Sequence, residues 1–174
     1  VHRFMAKYRK NPDFSKTNLY CFSYDRSLAK INSGIGVLLN RDEMTGGIFT
    51  CTNIALMYSY DFQVGRDWHI RPAISGNYVK TNFDLSKVTF ADQYFDGQLQ
   101  SGTSTAVLPP EEEKGYFDAS ASVMVYNSRM KGGFTVSHLL QPNSSIAGND
   151  APLPVAFSRS EEHTSELQSL LIIS

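Results

Sequence analysis

The chain has 174 residues, a formal net charge of −1, 41% hydrophobic, 12% aromatic and 19% charged residues, which is one domain's worth of chain with no electrostatic bias toward nucleic acid. Twelve Gly, nine Tyr, eleven Phe and only two Cys exclude a disulfide scaffold, a collagen-like repeat and a largely disordered chain. No apolar run approaches the roughly 18 to 20 residues of a spanning helix, and the mean hydropathy of −0.27 agrees, which leaves a strand-built membrane protein open.

Val1-His2-Arg3-Phe4-Met5 carries no initiator Met, basic n-region or apolar signal core, so a targeting segment is expected either to lie upstream or never to have existed, and localisation is not readable from this end. Phe4, Ala6 and Tyr8 then alternate with Arg3, Met5, Lys7 and Arg9, and Leu19 to Asp25 is aromatic on one face through Tyr20, Phe22 and Tyr24. Ile35, Val37 and Leu39 alternate with Gly34, Gly36 and Leu38, and Asn40 to Gly47 reads as a polar, Gly-ended turn.

The clearest two-residue period is Ile54, Leu56, Tyr58, Tyr60, Phe62 and Val64 against Ala55, Met57, Ser59, Asp61 and Gln63, a strand with one apolar face and one mixed face. Its length of about eleven residues suits a membrane-crossing strand. Gly65-Arg66-Asp67 predicts a tight turn into a second long strand, Trp68 to Lys80, completing a hairpin. Pro72 is awkward in that strand because it removes a ladder donor. Thr81 to Gly115 is a long irregular connection, of the length that is functional or forms a lid. Phe117 to Val125 alternates again, and Asn127 to Lys131 turns the chain into Phe134 to Leu139.

This predicts an all-β chain of about seven antiparallel strands. Short turns alternating with long loops are the pattern of a transmembrane β-barrel. In a bilayer every backbone donor and acceptor needs a partner, so only a closed barrel spans. Seven strands with two open edges are therefore expected to be an incomplete barrel, about half of one, completed by strands outside residues 1–158.

Residues 159–174 are set apart. Arg159 to Ser169 reverse-translates into a common short-read sequencing adapter, so the tail is expected to be an artefact and the biological sequence to stop near Ser158. Without the tail the net charge moves from −1 to +1, still near neutral.

Tyr8-Arg9-Lys10, Ser23-Tyr24-Asp25, Gly34-Ile35-Gly36-Val37, Tyr58-Ser59-Tyr60, Val88-Thr89-Phe90-Ala91-Asp92-Gln93 and Val136-Ser137-His138-Leu139-Leu140-Gln141-Pro142-Asn143 together resemble the PorP/SprF family of outer-membrane proteins, in order and spacing, over about Phe4 to Phe157. The resemblance implies a β-barrel in the outer membrane of Bacteroidota, serving the type IX secretion system and, in gliding species, export of surface adhesins. It implies no enzymatic activity, and a role in linking the barrel to periplasmic secretion components or holding exported proteins at the surface. It transfers no site residues. The chain departs from the family pattern in lacking a signal peptide, an early Asn-Pro-Ala-type segment and the C-terminal strands.

No catalytic, cofactor-binding or metal-binding residues are predicted. His2, His69 and His138 fall on separate strands without the close ligand pair of a zinc site; His138 reads as a wall residue near a strand end, with a pore-lining or interface role as the alternative. Cys21 and Cys51 could meet only if their strands were neighbours, and read as small wall residues without the basic setting of a nucleophile. Asp84, Asp92, Asp96 and Glu111 to Glu113 could gather calcium, but their spacing matches no calcium loop and a solvated loop is expected. Tyr8, Tyr24, Trp68, Tyr78 and Tyr126 are candidates for an interfacial aromatic girdle.

The functional expectation is a non-catalytic outer-membrane barrel, contacting outer-membrane lipid, periplasmic type IX secretion components and exported adhesin-like proteins. A passive porin-type channel is the alternative, and a soluble periplasmic β-sandwich binding module a third reading.

Overall fold

The two-residue period carries through most of the chain in the computed structural model, which describes residues 2–11, 16–90, 93–95, 98–99, 112–146 and 148–163. The strands are β1 (His2–Asn11), β2 (Thr17–Leu28), β3 (Ser33–Met44), β4 (Phe49–Tyr60), β5 (Phe62–Val64), β6 (Trp68–Phe83), β7 (Tyr94–Phe95), β8 (Gln98–Leu99), β9 (Glu113–Tyr126), β10 (Met130–Ser137) and β11 (Ala156–His163). All but β7 and β8, which pair with each other, join one nine-stranded antiparallel sheet in the order β1-β2-β3-β4-β6-β9-β10-β11, with β5 beside β6. The sheet is open: β1 and β11 lie at its two ends and do not pair. Among the described residues no helix is long and apolar enough to cross a membrane.

The expected seven strands are present, with three differences. β11 adds a further strand against β10, from Ala156 opposite Ser137 to His163 opposite Met130. The strand expected from Ile54 to Val64 is divided at Asp61, although its register runs straight through, from Ser59 opposite Ala73 to Phe62 opposite Ile70. Pro72 explains the division. The register puts it opposite Tyr60, so its missing N–H leaves a gap in the ladder between these strands, while the Asp61 N–H continues the ladder on the other side, to Asn32 O at 2.7 Å. Asn40 to Met44, expected in a turn, continues β3 opposite Asn53 to Phe49, and only Thr45–Gly47 turns, with Gly46 and Gly47 at φ of 69° and 85°.

Connections differ between the two ends of the sheet. At one end lie short turns around Ala29–Ile31, Gly65-Arg66-Asp67 and Asn127-Ser128-Arg129. At the other lie both long connections, between β6 and β9 and between β10 and β11, together with the short turn at Thr45–Gly47.

The sheet is a single layer. Its substantial tertiary contacts run between neighbouring strands, and among the described residues no second sheet or helix covers either face. Ala55, Thr81 and Asp118, at 3%, 8% and 5% exposure, are nonetheless buried mid-wall and share one face by register, whereas Ser33, at 6%, is buried at the short-turn end of the other face against Tyr58. A lone layer hides mid-wall side chains by curving, which makes the face of Ala55, Thr81 and Asp118 concave. The opposite, convex face carries Phe4, Leu56, Ile74, Phe117 and Phe157, each more than 60% exposed.

Candidate functional site

The two faces of the wall have opposite chemistry, because side chains alternate and the register keeps each set aligned across the strands. Outward on the convex face stand Phe4, Ala6 and Tyr8 of β1, Tyr20, Phe22 and Tyr24 of β2, Ile35, Val37 and Leu39 of β3, and Ile54, Leu56 and Tyr58 of β4. Ile74 and Tyr78 of β6, Phe117 to Val125 at every second residue of β9, and Phe134 and Val136 of β10 continue the band. Cross-strand ring pairs stitch it together: Phe4 with Tyr24 at 4.6 Å, Tyr8 with Tyr20 at 5.1 Å, Tyr78 with Phe117 at 4.9 Å and Phe134 with Phe157 at 5.9 Å between centroids. A continuous exposed apolar surface of this kind marks contact with lipid or protein.

The band drifts along the strands. Ala6, at its centre on β1, leads across the ladder to Phe22, Leu39, Ile54, Tyr78 and Phe117. On β10 the outward set Met130, Gly132, Phe134 and Val136 instead centres near Phe134, which pairs with Val123, six residues beyond Phe117. Strands about 4.8 Å apart and tilted by roughly 35–45° cross a level belt with a shift of about 4 Å, or a little over one residue, per strand. Six steps separate β1 from β10, so the drift has the size that a tilted barrel wall in a bilayer requires.

Polar rows flank the belt. At the end that carries the long connections, Arg41 pairs with Glu43 at 2.9 Å and Lys80 with Glu113 at 2.8 Å. Tyr8, Trp68 and Tyr78 face outward near the belt's margins and Tyr24 within it, but Tyr126 does not. Expected in the girdle, Tyr126 points into the concave face, opposite His69.

Tyr126 there belongs to the densest polar cluster of the wall. Its hydroxyl donates to Asp61 Oδ2 at 2.9 Å and accepts from Arg71 Nη2 at 2.7 Å, while Arg71 Nη2 also reaches Asp61 Oδ2 at 3.1 Å. The His69 ring stacks on Tyr126 at 5.0 Å, with Nδ1 3.3 Å from Asp61 Oδ2, and the Arg71 guanidinium lies 5.1 Å from the Tyr126 ring centre. The cluster joins the β4–β5 junction, β6 and β9 at the short-turn end. Sequence reading missed it, since Asp61 and Tyr126 are far apart in the chain; inward-facing polar residues on neighbouring strands were the available signal.

A second inward contact lies at the other end. His138 Nδ1 bonds Asp118 Oδ2 at 2.7 Å, and His138 adopts a left-handed φ of 59°, rare for a side-chain-bearing residue. The kink ends β10 and opens the β10–β11 connection, whose hub is Asn143: its Oδ1 accepts from Ser145 N at 3.0 Å and Ala151 N at 3.4 Å.

The remaining candidates scatter. His2 bonds the Tyr24 hydroxyl at 2.9 Å on the convex face. Cys21 and Cys51 are free thiols on β2 and β4, with β3 between them, and both point into the concave face. Asp84 accepts from Ser86 N at 3.2 Å and Ser86 Oγ at 2.5 Å and pairs with Lys87 at 3.0 Å. The Ser86 bonds, then Lys87, hold its carboxyl below the usual carboxylate range. Glu113 is paired with Lys80; Asp92, Asp96 and Glu111 lie outside the described residues. Among the described residues no group of His, Cys, Asp and Glu is arranged to hold a metal ion.

β11 changes character along its length. Phe157 continues the belt opposite Val136, but the next outward positions are Arg159, opposite Phe134, and Glu161, opposite Gly132, joined by a 3.3 Å ion pair.

A family model described as type IX secretion system membrane protein PorP/SprF matches residues 5–170. No curated protein and no solved structure shows significant similarity to the chain.

Proposed function

The chain belongs to the PorP/SprF family of type IX secretion system membrane proteins, and from that premise we propose that it is wall from a non-catalytic outer-membrane barrel that docks periplasmic secretion components and anchors exported, adhesin-like surface proteins. The family match over residues 5–170 carries the secretion part. The convex apolar belt and its drift support contact with outer-membrane lipid, since a barrel faces lipid with such a belt. The free edges of β1 and β11 support completion by further strands, because an exposed edge in hydrocarbon leaves backbone groups unpaired.

Residues 159–174 are, on this reading, foreign to the barrel, although the family match runs on to residue 170. An Arg near the bilayer midplane of a barrel's lipid face costs about 2–4 kcal/mol, and Arg159 stands where the belt passes through Phe134 on the neighbouring strand. An independently sequenced copy of the gene is expected to leave this sequence after Ser158 and to continue with apolar residues at alternate positions.

Deletion of the gene tests the function. Type IX cargo, in gliding species the surface adhesins, is expected to accumulate in the periplasm while the outer membrane stays intact, and the complete gene is expected to restore surface display. Unchanged display in the deletion strain overturns the docking role.

A further inference from the structure

The concave wall holds buried polar atoms that no protein partner reaches. Asp42 Oδ1, Asn53 Oδ1, Asp61 Oδ1 and Asp118 Oδ1 are buried without a hydrogen-bond partner, and all four belong to residues on the concave face. They lie mid-wall, on β3, β4, β9 and the β4–β5 junction, away from the free edges where additional strands would pair. Asp118 is only 5% exposed. Groups of this kind are satisfied by water when the space beside them is polar and roomy.

The strand order supplies the room. Eight strands follow one another from β1 to β11, yet these two do not meet, so a closed barrel built on this wall has more than eight. A barrel of about eight strands is filled by its own side chains, and wider ones enclose a cavity or channel.

Charge on the wall is divided. Inward on β1 stand Arg3, Lys7 and Arg9; Arg3 pairs with Asp25 at 2.8 Å, whereas Lys7 and Arg9 ion-pair with no described residue. On β3 the inward carboxylate of Asp42 keeps an unpartnered oxygen and has no ion-pair partner among the described residues, whereas further along the wall Asp61 is paired with Arg71, Asp118 with His138, and Lys114 also faces inward.

We propose that the concave face lines a water-filled, charge-divided lumen that admits small charged solutes, anions along the β1–β2 wall and cations along the β3–β4 wall beside Asp42. This rests on the barrel reading above and adds a passage to it.

The two native thiols report on it. Cys21 faces Lys7, with Arg9 at the next inward position of β1, and also neighbours Asn40. Cys51 faces Asp42 on one side and Thr81 on the other. The complete barrel, reconstituted in phosphatidylcholine vesicles, is treated with membrane-impermeant methanethiosulfonates bearing either a trimethylammonium or a sulfonate group. Each thiol is isolated by Cys51→Ser or Cys21→Ser, and Leu56→Cys in the doubly substituted background probes the convex belt; heat-dependent migration checks that each variant folds.

Both native thiols are expected to react and L56C is not. The anionic-to-cationic rate ratio is expected to be higher at Cys21 than at Cys51, on the order of tenfold at low salt and shrinking as salt rises. Asp42→Asn is expected to reduce the cationic preference at Cys51. Unreactive native thiols in a folded, heat-modifiable barrel mean a dry or plugged lumen and overturn the proposal, as does an equal ratio at both sites. Rapid labelling of L56C instead overturns the barrel reading itself.

Discussion

Asp61 and Arg71 face each other across the interruption in the ladder between β4–β5 and β6, and their 3.1 Å ion pair holds the two strands together where backbone pairing lapses. Tyr126 on β9 closes the triangle, bonding both partners. Asp61→Ala leaves the Arg71 guanidinium and the Tyr126 hydroxyl without their shared acceptor. It is expected to destabilise the complete barrel by about 1–3 kcal/mol, and Asp61→Asn, which keeps an acceptor, by less. Urea unfolding in vesicles measures both; equal stability of D61A and the parent would reduce the triangle to an incidental contact.

Pro72 interrupts the ladder opposite Tyr60, so Pro72→Ala, which restores an N–H there at the cost of a freer unfolded chain, is expected to leave stability unchanged or raise it by up to about 1 kcal/mol. Ser75, three residues on, is paired on both sides with Met57 and Ser120. Ser75→Pro is expected to cost about 3 kcal/mol or more, read in the same titration.

The convex belt is a lipid surface only if charge is penalised there and tolerated opposite. Leu56, 63% exposed at the belt's centre, and Ser120, on the concave face of β9, make the pair. Leu56→Arg is expected to destabilise the inserted barrel by about 2–4 kcal/mol, and Ser120→Arg by much less. The reverse ranking would exchange the two faces.

His138 ties the β10–β11 connection to the wall through Asp118. His138→Ala strands a carboxylate that is 5% exposed, at a cost of about 1–3 kcal/mol. Protease added to whole cells is expected to cleave between residues 138 and 155 sooner than in the parent, with the rest of the barrel resistant. His138→Gly, which suits the left-handed φ of 59° but lacks the imidazole, is expected to be cleaved faster than the parent too, which separates the side-chain contact from the backbone preference.

The legible part of the fold was local. Alternation alone placed Ile54, Leu56 and Tyr58 on one face and Ala55, Met57 and Ser59 on the other, because successive side chains of an extended chain point in opposite directions. It located the strands and both aspects of the wall, whereas Ser137-His138-Leu139 stood out only through the family resemblance. It carried no information on β11, whose outward Arg159 and Glu161 break the pattern.

Rows across the sheet were decided by pairing. That Tyr126 stacks on His69, that Asp61 meets Arg71 and Tyr126, and that His138 folds back onto Asp118 follow from which residues stand opposite one another. Register is a property of two strands at once, and of the turns that join them. The drift of the belt, the curvature that buries Asp118 and the crowding of unpartnered acceptors on one side likewise exist only in the assembled sheet. A chain read residue by residue determines which face each side chain takes, whereas its neighbours on that face are chosen by the hydrogen-bonded ladder.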